Sequence, residues 1–165
     1  MILYEHRELA EIRQKFLEKT IVFCSGVFDL THVGHVVFLE NCKNLGDILV
    51  VGVGSDESVR FYKGGARPIL SERIRIKMID SLKCVDFSFF SSPPNLNDPF
   101  SDLPRIFEKL RPNIYAINDD VSNMKTREEM AEKFKMKLTV FKKNLENEFA
   151  NISTTSIIQK TKNSG

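Results

Sequence analysis

The order of apolar segments predicts an α/β fold, a doubly wound parallel sheet of about five strands in a single domain. Three observations carry that expectation. Short apolar runs alternate with amphipathic patterns of roughly ten to fifteen residues, the spacing of strand–helix–strand units joined by right-handed crossovers. Ile48 to Val53 is a continuous apolar run, as expected of a central strand buried on both faces. The 165 residues are 42% hydrophobic and of one composition regime, enough for one core, and no repeat, linker or low-complexity tract divides them. One domain is expected over 1–165, with its core at about 20–160 and an N-terminal helix at 5–18.

Each element has its own signal. Leu9, Ile12, Phe16 and Leu17 fall near helical spacing with charges between them, which predicts the amphipathic helix over 5–18. Thr20 to Cys24 predicts the first strand. From Gly34 to Leu45, Val36, Val37, Leu39 and Leu45 lie among polar residues, which predicts a helix that Gly46 stops. Ile48 to Val53 follows as the second strand. A further helix opens near Ser71, shortly after Pro68, with Ile74, Met78 and Leu82 on one face. Val85 to Phe90 predicts a strand. Ser91 to Pro104 holds Pro93, Pro94, Pro99 and Pro104 and reads as a loop, and Pro104 suits the first turn of a helix reaching Leu110. Asn113 to Ile117 predicts a strand, Met124 to Lys135 a helix, and Lys137 to Phe141 the final strand. Ser153 or Thr154 opens a last helix carrying Ile157 and Ile158.

Composition removes several function classes. The net charge is +2, from 24 basic and 22 acidic residues interspersed along the chain, so no basic stripe marks a nucleic-acid surface. Lys133, Lys135, Lys137, Lys142 and Lys143 alternate with apolar residues, as on a solvated face. No apolar run approaches the roughly 18 to 20 residues of a membrane span. Tyr4, Glu5, His6, Arg7 and Glu8 lack the basic flank and apolar run of a secretory signal, so a cytoplasmic location is expected. Cys24, Cys42 and Cys84 are odd in number and far apart, and are expected as small buried hydrophobes. Thirteen Phe and no Trp predict an aromatic core whose Phe follow strands and helix faces.

The chemistry concentrates directly after the first strand, in Gly26-Val27-Phe28-Asp29-Leu30-Thr31-His32-Val33-Gly34-His35. Doubly wound sheets bind ligands beyond the carboxyl ends of their strands. His32 and His35 can face the same way from a helix's first turn, and Gly34 between them lets a ligand approach the backbone. Helix N-termini attract anions, so the two imidazoles there would donate hydrogen bonds to phosphate oxygens that gain charge during transfer. Simple capping and zinc binding are the competing readings of this pair. A cap needs only one polar residue, and zinc would find only His6 as a third imidazole, with no Cys or carboxylate at ligand spacing, so no metal ligand set is expected.

This segment resembles the signature of the cytidylyltransferase-like nucleotidyltransferases, which join a nucleoside monophosphate from an NTP to a phosphorylated acceptor and release pyrophosphate. Further matches occur in family order: Ser55-Asp56-Glu57, Lys63-Gly64, Arg67-Pro68, Arg75 ahead of Val85-Asp86, and the closing run Ile152-Ser153-Thr154-Thr155-Ser156-Ile157-Ile158. The resemblance covers most of residues 20–160 and implies a Rossmann-like fold. It implies catalytic roles for His32, His35 and Lys63, and nucleotide contacts from Gly26, Val27, Phe28, Gly34, Arg75, Asp120, Ser153 and Thr154. Asp29 and Asp56 would line the acceptor side. Lys63 reads as a mobile charge on a flexible loop closing over the triphosphate, Arg75 as a phosphate ligand on a rigid helix, and Ser153 and Thr154 as hydroxyl and N–H donors at a helix start. The acceptor phosphate is already nucleophilic near neutral pH, so positioning and charge stabilisation suffice, with Mg²⁺ arriving on the phosphates of the NTP. The family's habit implies a homodimer, and neither nucleic acid nor membrane is an expected partner.

Two His in the signature, the Lys63 to Asp86 run and the helix before Ile21-Val22-Phe23 look most like the adenylyltransferase domain of ADP-heptose synthases. Glycerol-phosphate cytidylyltransferases are the next resemblance, but they carry an Arg shortly before the closing Ser-Thr, where this chain has Glu148-Phe149-Ala150-Asn151. The expected reaction is thus adenylyl transfer to a sugar 1-phosphate. The alternatives are cytidylyl transfer to a polyol or amino-alcohol phosphate, and a nucleotide-binding protein without turnover. The chain departs from the family at Asn118 and Asn151, where Gly is common, and in the extra residue of Gly64-Gly65-Ala66. Asn tolerates the left-handed backbone that Gly provides, but its side chain near the base pocket leaves the choice between ATP and CTP open.

Overall fold

Ile21, Val22, Phe23 and Cys24 are all fully buried, and they alternate between two cores: Ile21 and Phe23 on one side, Val22 and Cys24 on the other. A strand that buries both faces must be covered twice, which places helices on either side of the sheet. The computed structural model describes residues 1–142 and 152–163. In chain order the elements are β1 Ile2–Leu3, α1 Glu8–Lys15, β2 Ile21–Gly26, α2 Val33–Lys43, β3 Ile48–Gly54, α3 Asp56–Lys63, α4 Glu72–Asp80, β4 Phe87–Ser91, α5 Leu103–Leu110, β5 Ile114–Asn118, α6 Met124–Lys133, β6 Lys137–Phe141 and α7 Thr154–Asn163. The sheet runs β1-β4-β3-β2-β5-β6 with every pair parallel.

One core joins Leu9 and Ile12 of α1 and Ile106 and Phe107 of α5 to Phe23, Phe89 and Tyr115 of the sheet. Phe23 lies at its centre, edge-on to Phe107 at 5.6 Å and stacked on Phe89 at 6.2 Å. The opposite core joins Leu39 of α2 and Ile76 and Ile79 of α4 to Val22, Leu49, Val51 and Val53. Leu49 through Val53 are all buried, as the apolar run requires of a central strand. Cys24 and Cys42 are buried and Cys84 half-buried, and burial pushes the Cys24 thiol well above its ordinary value.

Three features differ from the sequence expectation. The sheet has six strands rather than five, because Ile2 and Leu3 pair with Ser88 and Phe89. A two-residue strand has no periodicity to detect. The second is α3, whose Val59 is its one buried apolar side chain and which is set up by Ser55, whose hydroxyl accepts from the Ser58 N–H at 3.3 Å. The third is the facing of α4. Its buried residues are Arg75, Ile76 and Ile79, while Ile74 is 49% exposed and Met78 37%. Ile74 and Met78 of the expected apolar face lie outside while Leu82, beyond the helix, packs against the core, and α4 turns Arg75 inward to a polar task. Among the described residues no helix is long and apolar enough to cross a membrane.

Candidate active site at the carboxyl edge of the sheet

The chain passes from β2 to β3 and β4 on one side of the sheet, then crosses β2 to reach β5 and β6 on the other. The carboxyl end of β2 is therefore the switch point, where the connections diverge and leave a crevice. The segment from Gly26 to His35 leaves β2 at this point and enters α2. Phe28 and Leu30 take left-handed backbone angles, φ 53° and 49°, on either side of Asp29. Gly26 makes that turn possible, since a Cβ there would lie 2.9 Å from the Phe28 ring.

His32 is the N-cap of α2, and its main-chain N–H donates to His35 Nδ1 at 3.4 Å. The two rings stack with centroids 3.9 Å apart and planes at 26°. Both imidazoles thus face one way from the helix's first turn, as the spacing implied. Phe28 meets the His35 ring edge-on at 5.4 Å and fixes its tilt. A Cβ on Gly34 would sit 3.0 Å from the His32 ring, so the bare glycine makes room for that imidazole against the turn, and 3.6 Å from the Ile152 carbonyl oxygen, an ordinary contact.

The closing segment completes the edge. The Thr154 hydroxyl donates to the Asp29 carbonyl oxygen at 2.7 Å. Ser153 and Ser156 cap α7 reciprocally: Ser153 N–H donates to Ser156 Oγ at 2.9 Å, and Ser156 N–H to Ser153 Oγ at 3.1 Å. Residues 125 positions apart are so brought together at the N-termini of two helices, α2 and α7. Asn151, with residues 148–150 and Lys143, lies outside the described residues.

The remaining expected residues divide. Lys63 ends α3 instead of riding on a flexible loop. The open turn follows it, at Gly64 with φ 84° and at Gly65, where an added Cβ would meet nothing within 4 Å at either position. The Lys63 residue is exposed, yet surrounding protein and then the Arg67 charge lower its ammonium pKa, against the pull of Asp29 and Asp120. Lys63, Arg67, Asp29 and Asp120 therefore share one electrostatic neighbourhood. Asp120, exposed just beyond β5, is on the same edge.

Arg75 and Asp56 depart from their expected roles. Arg75 is fully buried, with Nη1 donating to Val27 O at 2.5 Å, Nη2 to Gly54 O and Asp56 Oδ1 at 2.7 Å each, and Nε to Leu70 O at 3.0 Å. Its guanidinium serves the ends of β2 and β3 from below in place of a phosphate contact. Asp56 is correspondingly engaged by Arg75, and its N–H donates to Glu72 at 2.7 Å. Asp29 is also 1% exposed: Ile69 N–H donates to its Oδ2 at 2.9 Å and Leu70 N–H to its Oδ1 at 3.0 Å, while Arg67 Nε lies 2.8 Å from Oδ2. Burial alone would raise its pKa, but these amides and the charges of Arg67 and Arg75 outweigh it and hold the carboxyl below its ordinary value. Sequence reasoning does not place Arg67 or the amides of Ile69 and Leu70 among the site residues. A signal for Arg67 exists, in the Lys63-Gly64 to Arg67-Pro68 run; backbone amides leave none.

Two surface hollows lie elsewhere, about 530 Å³ beside Ile2, Tyr4, Ile76 and Phe90, and about 450 Å³ beside Phe107, Arg111, Asn113 and Phe134. Neither is lined by the His pair. Anion chemistry uses convergent donors on an open edge, so donor placement outweighs hollow size here. Among the described residues no group of three or more His, Cys, Asp and Glu is placed to hold a metal.

Comparison with known proteins places the chain among nucleotidyltransferases. Residues 23–160 match the family model described as cytidylyltransferase-like. The bifunctional protein HldE of Geotalea uraniireducens is 40% identical over 108 residues, 65% of this chain and 20% of that protein. HldE of Helicobacter pylori strain P12 is 38% identical over 116 residues, 70% of this chain and 23% of that protein. The chain thus spans about a fifth of the length of these curated relatives. A lipopolysaccharide core biosynthesis protein from Thermoplasma volcanium superposes with a TM-score of 0.61 at 27% identity, covering 75% of this chain and 95% of that one. A pantoate–β-alanine ligase from Francisella tularensis has a TM-score of 0.68 over 98% of this chain and 77% of its own, at 16% identity, and so shares the fold.

Proposed function

The chain belongs to the cytidylyltransferase-like family of nucleotidyltransferases, and from that premise we propose that it transfers an adenylyl group from ATP to a heptose 1-phosphate. An oxygen of the sugar phosphate attacks the α-phosphorus of ATP, a new P–O bond forms, and the bond to the β-phosphate oxygen breaks to release pyrophosphate. The observation that carries this reading is the stacked His32–His35 pair at the switch point, with the closing helix bonded to the same turn through Thr154. The sugar-nucleotide branch is supported by the HldE relatives and the lipopolysaccharide core neighbour.

His32 and His35 donate hydrogen bonds to the α-phosphate oxygens as charge builds on them. Lys63 reaches out from the end of α3 on its flexible side chain to meet the β- and γ-phosphates, and burial followed by the nearby Arg67 charge lowers its ammonium pKa. The N-termini of α2 and α7, with the hydroxyls of Ser153 and Thr154, hold the departing pyrophosphate. Gly26, Val27 and Phe28 shape the wall against the nucleotide, and Asp120 lies on its base side. Mg²⁺ enters with the triphosphate as part of the substrate and supplies charge neutralisation. No proton need be taken from the acceptor, so neither His acts as a base. A homodimer belongs to the same proposal and is read by light scattering.

The test crosses ATP and CTP with heptose 1-phosphate, glycerol 3-phosphate and an amino-alcohol phosphate while pyrophosphate release is followed. Release with ATP and the sugar phosphate is expected. Release confined to CTP with a polyol or amino-alcohol phosphate would replace this substrate assignment, and binding of nucleotide with no release from any pair would remove turnover.

A further inference from the structure

We infer that Asp29 is a positioning residue, a latch that docks the segment from Arg67 to Leu70 and the closing helix onto the histidine turn, rather than a ligand of the acceptor. Its carboxylate and carbonyl together bind two separate parts of the chain. Oδ1 and Oδ2 take the amides of Leu70 and Ile69, Oδ2 also faces Arg67 Nε, and the carbonyl oxygen takes the Thr154 hydroxyl. Both carboxylate oxygens are spent inside the protein, and the residue is 1% exposed. With the residue closed off from solvent, neither oxygen can meet a sugar hydroxyl unless the carboxylate turns away from the buried amides it accepts from, which would leave them unpaired.

The geometry also explains why a latch is needed. Between Lys63 and Arg67 the chain crosses Gly64 and Gly65, which stand in open space. Without an anchor beyond that turn, Lys63 would be fixed on its α3 side alone. Asp29 supplies the anchor from the amide side, and Arg75 from the carbonyl side through Leu70 O. The same Arg75 holds Val27 O, two residues before Asp29, so latch and turn are tied to one point. The left-handed residues Phe28 and Leu30 on either side of Asp29 are the conformation that brings its carboxylate under the loop while its carbonyl faces α7.

This inference rests on the proposed reaction only in its kinetic arm. The first arm is amide hydrogen exchange on the free protein, comparing wild type with Asp29→Asn and Asp29→Ala. Exchange at Ile69 and Leu70 should accelerate about ten- to a hundred-fold in Asp29→Ala and less in Asp29→Asn, which keeps one carbonyl acceptor, while Val22 and Leu49 in the sheet hold their rates. Unchanged rates at Ile69 and Leu70, or equal acceleration everywhere, overturn the latch. If neither variant folds, the wild type decides: Ile69 and Leu70 must be protected like the amides of α4, and exchange as free as that of Gly65 overturns the proposal. In the kinetic arm, with ATP and heptose 1-phosphate, Asp29→Asn lowers kcat by about ten-fold or more and leaves the acceptor KM within about three-fold. A rise in acceptor KM alone would make Asp29 an acceptor ligand instead. Absence of activity in the wild type would count against the proposed reaction and leave the exchange result standing.

Discussion

Two aspartates near the carboxyl edge of the same sheet are almost equally closed to solvent, Asp29 at 1% and Asp102 at 3% exposure, and their carboxyls are displaced in opposite directions. Asp29 has two main-chain amides and two guanidinium groups around it, which outweigh burial and hold it below its ordinary value. Asp102, which precedes α5 beyond the end of β4, is raised by burial; the Ser91 hydroxyl that donates to it, its own amide and the charge of His6 do not offset that cost. One charge is held and the other reluctant for two reasons: Asp102 sits deeper within surrounding protein, and Asp29 has more donors and cations aimed at its carboxylate. The turn after β2 is the better supplied with internal donors.

The largest break in that contrast is Arg75→Met. It removes the buried guanidinium under the turn and leaves three carbonyls and Asp56 unpaired, which should cost about 3–5 kcal/mol in denaturant unfolding. Asp29→Asn should cost about 2 kcal/mol at neutral pH. Its pH dependence has a definite sign. A carboxyl held below its unfolded value contributes stability above about pH 4 and loses it as pH falls through the folded value, so the wild-type advantage over Asp29→Asn should disappear in acid. Asp102→Asn sharpens the comparison with the smallest effect and the opposite direction. Ionising a carboxyl raised by burial weakens the folded state as pH climbs above the ordinary carboxylate range, so the variant should gain up to about 1 kcal/mol at pH 7 and nothing near pH 3. Thermal unfolding across pH reads both carboxylates.

The sequence carries the frame of this edge better than its internal wiring. Five strands, the switch-point turn, a helix start near Gly34 and another at Ser153 or Thr154 are legible, because apolar runs and helix-start residues act locally. β1 and α3 are not, since one spans two residues and the other buries a single apolar side chain. At the site the shared direction of the two imidazoles is legible in their spacing, whereas their stacking comes from His32 standing as the extended N-cap of α2. The family resemblance implies a phosphate contact for Arg75, and taken alone a charged residue on a helix reads as part of a solvated face. Only the packing of α4 reverses that face and sends the guanidinium to Val27 O, Gly54 O and Leu70 O. Asp29 is unreadable for a related reason, as its partners are amides some forty residues away and an amide has no letter in a sequence.

The proposed reaction requires that His32 and His35 stabilise charge on the transferred phosphate rather than merely hold nucleotide. Single-turnover transfer from ATP labelled at the α-phosphate, measured beside ATP affinity for wild type, His32→Ala and His35→Ala, tests it most directly. Each substitution should slow transfer by about a hundred-fold or more while the Kd for ATP stays within about three-fold. Loss of ATP affinity with the transfer rate of the bound complex unchanged would contradict it.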